Sequence, residues 1–77
     1  MIQLIQTEYI LNGKKWELVE TKESTIFTPE YNRYITSMKF FRNLGGKESL
    51  KKSAHKTVLT SVSPDKDQKI VREFNFN

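Results

Sequence analysis

Seventy-seven residues leave room for one domain and no second one. The chain has no cysteine, which excludes disulfides and thiolate metal sites, and a lone histidine cannot build a zinc site without several carboxylate partners. Thirteen Lys and Arg against nine Asp and Glu give a formal charge of +4, a modest field that favours polyanions or acidic proteins and also serves solubility.

Five Phe, three Tyr and one Trp argue against disorder. The longest apolar runs are a few residues, so no segment is expected to span a membrane. The N-terminal "MIQLIQTEY" lacks the basic region and small-residue cleavage site of a signal peptide. Together with the absence of cysteine, this fits a cytoplasmic protein.

Residues 2–11 alternate loosely, "NG" follows at Asn12-Gly13, and "KKWELVE" resumes the pattern. Asn-Gly between two strand-like runs predicts a hairpin with a two-residue turn. That register pairs Leu11 with Lys14, Tyr9 with Trp16 and Thr7 with Leu18. It gathers Ile5, Tyr9, Leu11, Trp16 and Leu18 on one face and Glu8, Lys15 and Glu17 on the other.

A helix is expected from "TPEYNRY", with Thr28 as N-cap, Pro29 in the first helical position and Glu30 at the positive dipole end. Gly45-Gly46 supplies its C-terminal stop. Tyr31, Tyr34, Ile35, Met38 and Phe41 make its apolar face, with Arg33 and Lys39 nearly opposite. Phe40 does not fit that face. Either it is exposed on one continuous helix, or the helix breaks near Thr36-Ser37; the continuous helix is preferred.

Residues 50–63 read as a third strand with Ala54, Val58 and Val62 on its apolar side. "SPDKDQ" is a turn, and "KIVREFNFN" is the last strand, with Ile70, Phe74 and Phe76 inward. Bringing Val58 and Val62 onto that face requires a loop of three or five residues; a four-residue loop would set Val58 beside Glu73. Trp16, Tyr9, Phe74 and Phe76 are expected to build the core. Arg72 falls on the inner face. Glu20 or Thr60 could partner it, but an Arg at the sheet margin with a packed stem is the simpler reading. The expected fold is α+β, ββαββ: two antiparallel hairpins joined into one sheet, with a single helix on one face.

Motifs for catalysis are missing. His55 has no neighbour that marks a triad, and no serine sits in a nucleophile elbow. Asp65 and Asp67 lack the Gly and distal Glu of a calcium loop and read as turn chemistry. "LGGK" lacks the spacing of a phosphate loop. Neither enzymatic activity nor a cofactor is expected.

The stretch "KESLKKSAHK" concentrates Lys47, Lys51, Lys52 and Lys56, and Lys14 and Lys15 lie at the first turn. Such cations can contact phosphates or an acidic partner. They also read as an edge strand whose lysines block aggregation. Glu20, Glu23, Glu48 and Glu73 dilute the field. Phe40 is the candidate exposed aromatic contact.

The stretches "FFRNLGGKES" and "VLTSVSPDKDQKIVREFNF", above all SPDxxQKxVREF, resemble small uncharacterised proteins encoded by phages and mobile elements of Gram-positive bacteria. The resemblance covers the C-terminal half and assigns no residue a role. It implies an accessory protein that binds a component of host or phage machinery. The leading expectation is therefore a protein-interaction module. Direct nucleic-acid binding through the six lysines is the alternative, and a homodimer through edge-strand pairing is a third reading beside a monomer.

Overall fold

The computed structural model describes residues 1–43 and 45–76, and for residues 38–43 the backbone alone. Its elements are β1 (Ile2–Asn12), β2 (Lys15–Ile26), α1 (Thr28–Asn43), β3 (Lys47–Lys52), β4 (Lys56–Val62) and β5 (Gln68–Phe76). The five strands form one sheet in the order β2-β1-β5-β4-β3, with every neighbouring pair antiparallel. The α+β class, single sheet and single helix agree with expectation. The order is ββαβββ, though, not ββαββ.

The extra strand comes from a turn at Ala54-His55 that splits residues 50–63. The Ser53 N–H donates to the Lys56 carbonyl (2.8 Å) and closes this hairpin. Neither Ala54 nor His55 has a positive φ. The turn therefore needs no Gly or Asn, and the composition carries no mark of it.

The first hairpin forms, but one residue further on than expected. Asn12 pairs with Lys15, Leu11 with Trp16 and Tyr9 with Leu18. Gly13 has φ +66° and Lys14 has no positive φ, so glycine occupies the first central position, as in a type II′ turn. The shift moves both strands by one, so Tyr9, Leu11, Trp16 and Leu18 still share a face. A bulge follows, since Glu8 pairs with Glu20 while Tyr9 pairs with Leu18, leaving Val19 as the extra residue.

That face is not the core face. Ile2, Leu4, Ile26, Leu59 and Phe74 are the buried apolar residues, and Tyr31, Tyr34, Leu50 and Phe76 pack against them. The even residues of β1 thus face the helix, while Tyr9 and Trp16 lie on the opposite side of the sheet, half-buried. Phe74 is fully buried, as expected. Its ring meets Tyr31 edge-on at 5.1 Å and Tyr34 at 5.6 Å, and Tyr31 also meets Phe76 edge-on at 5.2 Å. Edge-to-face pairs of this kind add to the area they bury.

The β4–β5 loop also overturns its expectation. The Ser63 N–H donates to the Gln68 carbonyl (3.0 Å), enclosing residues 64–67, four in all, with Lys66 at φ +62°. Val58 therefore sits beside Glu73 and Val62 beside Lys69, away from the helix. Leu59, 2% exposed, takes the inner position together with Thr57 and Ser61. A single inward Leu outweighs two half-covered Val, and a one-residue slip would reverse all of them.

The helix is continuous through Thr36-Ser37. It starts one residue earlier than expected. The Phe27 carbonyl accepts the first helical bond from Tyr31 N–H (3.1 Å), and Glu30 Oε1 accepts the Phe27 N–H (3.4 Å). Phe27 is thus the N-cap, and Glu30 supplies the return half of a capping box. Gly45, at φ +91°, follows the helix as the stop expected there. The expectations for Met38, Lys39, Phe40, Phe41 and Leu44 lie outside the described side chains.

Arg72 is on the covered face and half-buried, but neither Glu20 nor Thr60 partners it. Its Nε donates to Gln6 Oε1 (3.0 Å) and its guanidinium lies 5.0 Å from the Tyr34 ring centre. Register explains the choice, because Gln6 is the cross-strand neighbour of Arg72 on β1.

Candidate functional site

Strand register sorts the six candidate lysines. Side chains of paired residues share a face, so each row of pairs runs across the sheet. One row is Lys47, Val62, Lys69, Tyr9, Leu18; another is Lys51, Val58, Glu73, Ile5, Glu23. Both lie on the face away from the helix, and Lys56 joins them beside Asn75. Lys52 pairs with the buried Thr57 and Lys15 with Asn12, so these two belong to the helix side. Lys14 is in the first turn. The six are therefore not one strip: Lys47, Lys51 and Lys56 share a face, and Lys14, Lys15 and Lys52 do not join them. All six are exposed.

Sequence reading passed over Lys69, which the register sets in the same row as Lys47. Its Nζ stands 4.8 Å from the Tyr9 ring centre and 4.6 Å from that of Trp16. Two rings hold one ammonium on the open face, an arrangement favoured by the negative ring faces. The signal lay in the "NG" hairpin, which brings Tyr9 and Trp16 to one side, but the pairing of β1 with β5 could not be read from local sequence.

Lys56 is the one candidate lysine with an acidic partner among the described contacts. Its Nζ lies 3.1 Å from Glu73 Oε1. This hydrogen bond, with a second from Asn75, holds the Glu73 carboxyl below its ordinary range.

A second surface is apolar. The β1–β2 arm runs past the end of β5, whose pairing with β1 stops at Ile10–Gln68. Ile10, Leu18 and Val19 at the base of this arm are 44%, 62% and 55% exposed, and Leu11 just beyond them is 37% exposed. The bulge at Val19 sets Leu18 and Trp16 on the open face beside Tyr9 and Leu11. The outer edge of β2 has no strand neighbour.

Between helix and sheet a cavity of about 290 Å³ is lined by Tyr34, Ser37, Glu48, Leu59, Ser61 and Arg72, among others. Glu48 accepts a hydrogen bond from Ser61 Oγ (2.7 Å). His55 is exposed in the β3–β4 turn and does not line this cavity. Among the described residues no group of three or more His, Asp or Glu could hold a metal ion, and no helix is long and apolar enough to cross a membrane. No family model, curated protein or solved structure matches the chain.

Proposed function

We propose that this chain is a non-catalytic protein-interaction module whose contact surface is the β1–β2 arm. The observation that carries the reading is the group of four exposed apolar side chains, Ile10, Leu11, Leu18 and Val19, on an arm that the rest of the fold leaves uncovered. Only 36% of the chain is hydrophobic. Leaving four apolar residues wet at one end of the sheet, Ile10 on the helix side and Leu11 and Leu18 on the open face, works against folding, and exposed apolar area of this kind marks protein contact. The resemblance of the C-terminal half to phage and mobile-element proteins supports an accessory role, in which the arm engages a component of host or phage machinery.

The test compares wild-type protein with Leu11→Ser plus Leu18→Ser as baits in one bacterial lysate. The expected outcome is a partner retained by the wild type and lost by the variant, with matching circular dichroism for the two. Identical captured sets would overturn the reading. Light scattering on both proteins adds the case of a second copy as partner: a wild-type dimer that the variant reduces to monomer.

A further inference from the structure

We infer that the open face of the sheet contacts the phosphate backbone of single-stranded nucleic acid, with Lys69 as its central cation. This rests on residues other than the apolar side chains of the arm, and stands or falls separately from the protein-interaction reading.

Charge distribution is the first support. The strand side chains on the open face include Lys47, Lys51, Lys56 and Lys69 against Glu23 and Glu73. Those on the helix side include Lys15, Lys22, Lys52 and Arg72 against Glu8, Glu17, Glu20 and Glu48. The excess positive charge of the sheet is thus confined to one face. Among the described residues the exposed Lys47 and Lys51 have no acidic partner, and Lys56 shares Glu73.

The second support is that Lys69 is already positioned. An exposed lysine loses rotamer freedom on contacting a phosphate. Lys69, held at 4.8 and 4.6 Å from two ring centres, has lost part of that freedom in the fold itself. Lys47 lies in the same row two strands away, about 10 Å at ordinary strand spacing. The two cations can therefore follow one backbone across the sheet.

Geometry selects the single strand. Five strands span about 19 Å between the outermost axes, which is wider than the ~12 Å major groove that admits a helix or two-stranded ribbon. The rings of Tyr9 and Trp16 beside the cation offer stacking surface, and only unpaired bases can use it. Val58, Thr60, Val62 and Val71 form an uncharged patch on β4 and β5 over which bases can lie, and the neighbouring Glu73 carboxylate is paired with Lys56.

The experiment reads anisotropy of a fluorescein-labelled 15-nucleotide oligothymidylate and of a duplex of equal length, at low and moderate salt. The key variant is Lys47→Glu plus Lys51→Glu. Its control is Lys15→Glu plus Lys52→Glu, which takes the formal charge from +4 to 0 in the same way (four charges lost in each) but on the helix side. For the open-face variant the expected result is a Kd raised about tenfold or more, against less than about threefold for the control. Lys69→Met, which keeps most of the stem, should weaken binding and lower the salt slope by about one. Any of four results would overturn the inference: no single-strand binding at low salt, equal losses in the two double variants, a duplex bound as tightly as the single strand, or displacement by polyglutamate as effective as by unlabelled oligonucleotide. The last would identify an acidic protein as the partner of this face. Ile10→Ser, which changes the arm on the helix side, should weaken partner capture and keep oligonucleotide affinity, which separates failure of one reading from failure of the other.

Discussion

The two faces of this sheet are cut from the same strands and behave differently. Under the helix, Phe74, Leu59, Leu4, Ile2 and Ile26 meet with under a tenth of their surface exposed, and the rings of Tyr31 and Tyr34 close over them. On the other side the same strands present lysines, threonines, valines and a Tyr–Lys–Trp stack that no element covers. A small domain with one helix can dry one face only, and only over the helix's own footprint. Stability is therefore concentrated at one end of one face, and the remaining surface is left for contact. Mutations should sort by face more than by residue type.

The sharpest test of that contrast is an aromatic pair. Phe74→Ala removes a fully buried ring that touches both helix tyrosines, and should cost about 3–5 kcal/mol. A domain of this length holds about 4–12 kcal/mol in total, so the variant should lose a large share of its stability. Trp16→Ala removes a larger ring that is only half-buried, and should cost about 1 kcal/mol. Urea unfolding followed by far-ultraviolet circular dichroism gives both. Equal losses would mean that the open face carries a core of its own.

Neighbouring residues on β4 repeat the comparison with smaller side chains. Leu59→Ala should cost about 2–4 kcal/mol and Val58→Ala less than about 1 kcal/mol, although the two are adjacent in sequence. A reversal would show that the β4–β5 register is one residue off, with Val58 inward.

This is also the place where sequence reading failed, for a definable reason. The helix, its glycine stop, the first hairpin and inward Phe74 and Phe76 were legible because local chemistry marks them: Pro29 and Glu30, Gly45, Asn12-Gly13, and alternation in β5. The side of the sheet that the helix covers was not legible. Residues Tyr9, Leu11, Trp16 and Leu18 are more conspicuous than Ile2, Leu4 and Ile26, but only the second set lies beside Phe74 once β1 pairs with β5. That pairing joins residues 58 to 74 apart in sequence, and nothing local encodes it. The β3–β4 turn escaped because its backbone needs no special residue. Of the candidate lysines, the clustering in sequence overstated the clustering in space, since alternate strand residues face opposite ways. Lys69 stood outside the cluster and lies nearest to the aromatic rings.

A smaller effect separates burial from hydrogen bonding within the covered face. The Tyr31 hydroxyl shares a hydrogen bond with Thr57 Oγ1 at 3.2 Å, and Thr57 is 2% exposed. Tyr31→Phe keeps the ring contacts to Phe74 and Phe76 and leaves that Thr hydroxyl without this partner, at a cost of about 1 kcal/mol. Adding Thr57→Val should recover much of the loss, because both polar groups are then gone. A double variant as unstable as the sum of the two single ones would show that the pair is not coupled.

The smallest expected effect lies on the open face and depends on pH. Lys56 holds the Glu73 carboxyl below its ordinary range, chiefly through their hydrogen bond, with Asn75 adding a second. A carboxyl whose pKa is lower in the folded chain than in the unfolded one stabilises the fold fully above the unfolded value. It loses that contribution as pH falls through the lowered folded value. Exposed pairs of this kind are worth about 0–1 kcal/mol. Wild type and Lys56→Met should therefore differ slightly in urea midpoint at neutral pH and converge in acid below the ordinary carboxylate range. Trp16 fluorescence can follow the midpoints, since it is the only tryptophan. A proton-detected titration of Glu73 isolates the cause: its carboxyl should titrate at higher pH in Lys56→Met than in wild type. The same titration in both would mean that Lys56 is as free as Lys47 and Lys51, and would add a fourth unneutralised cation to the open face beside Lys69.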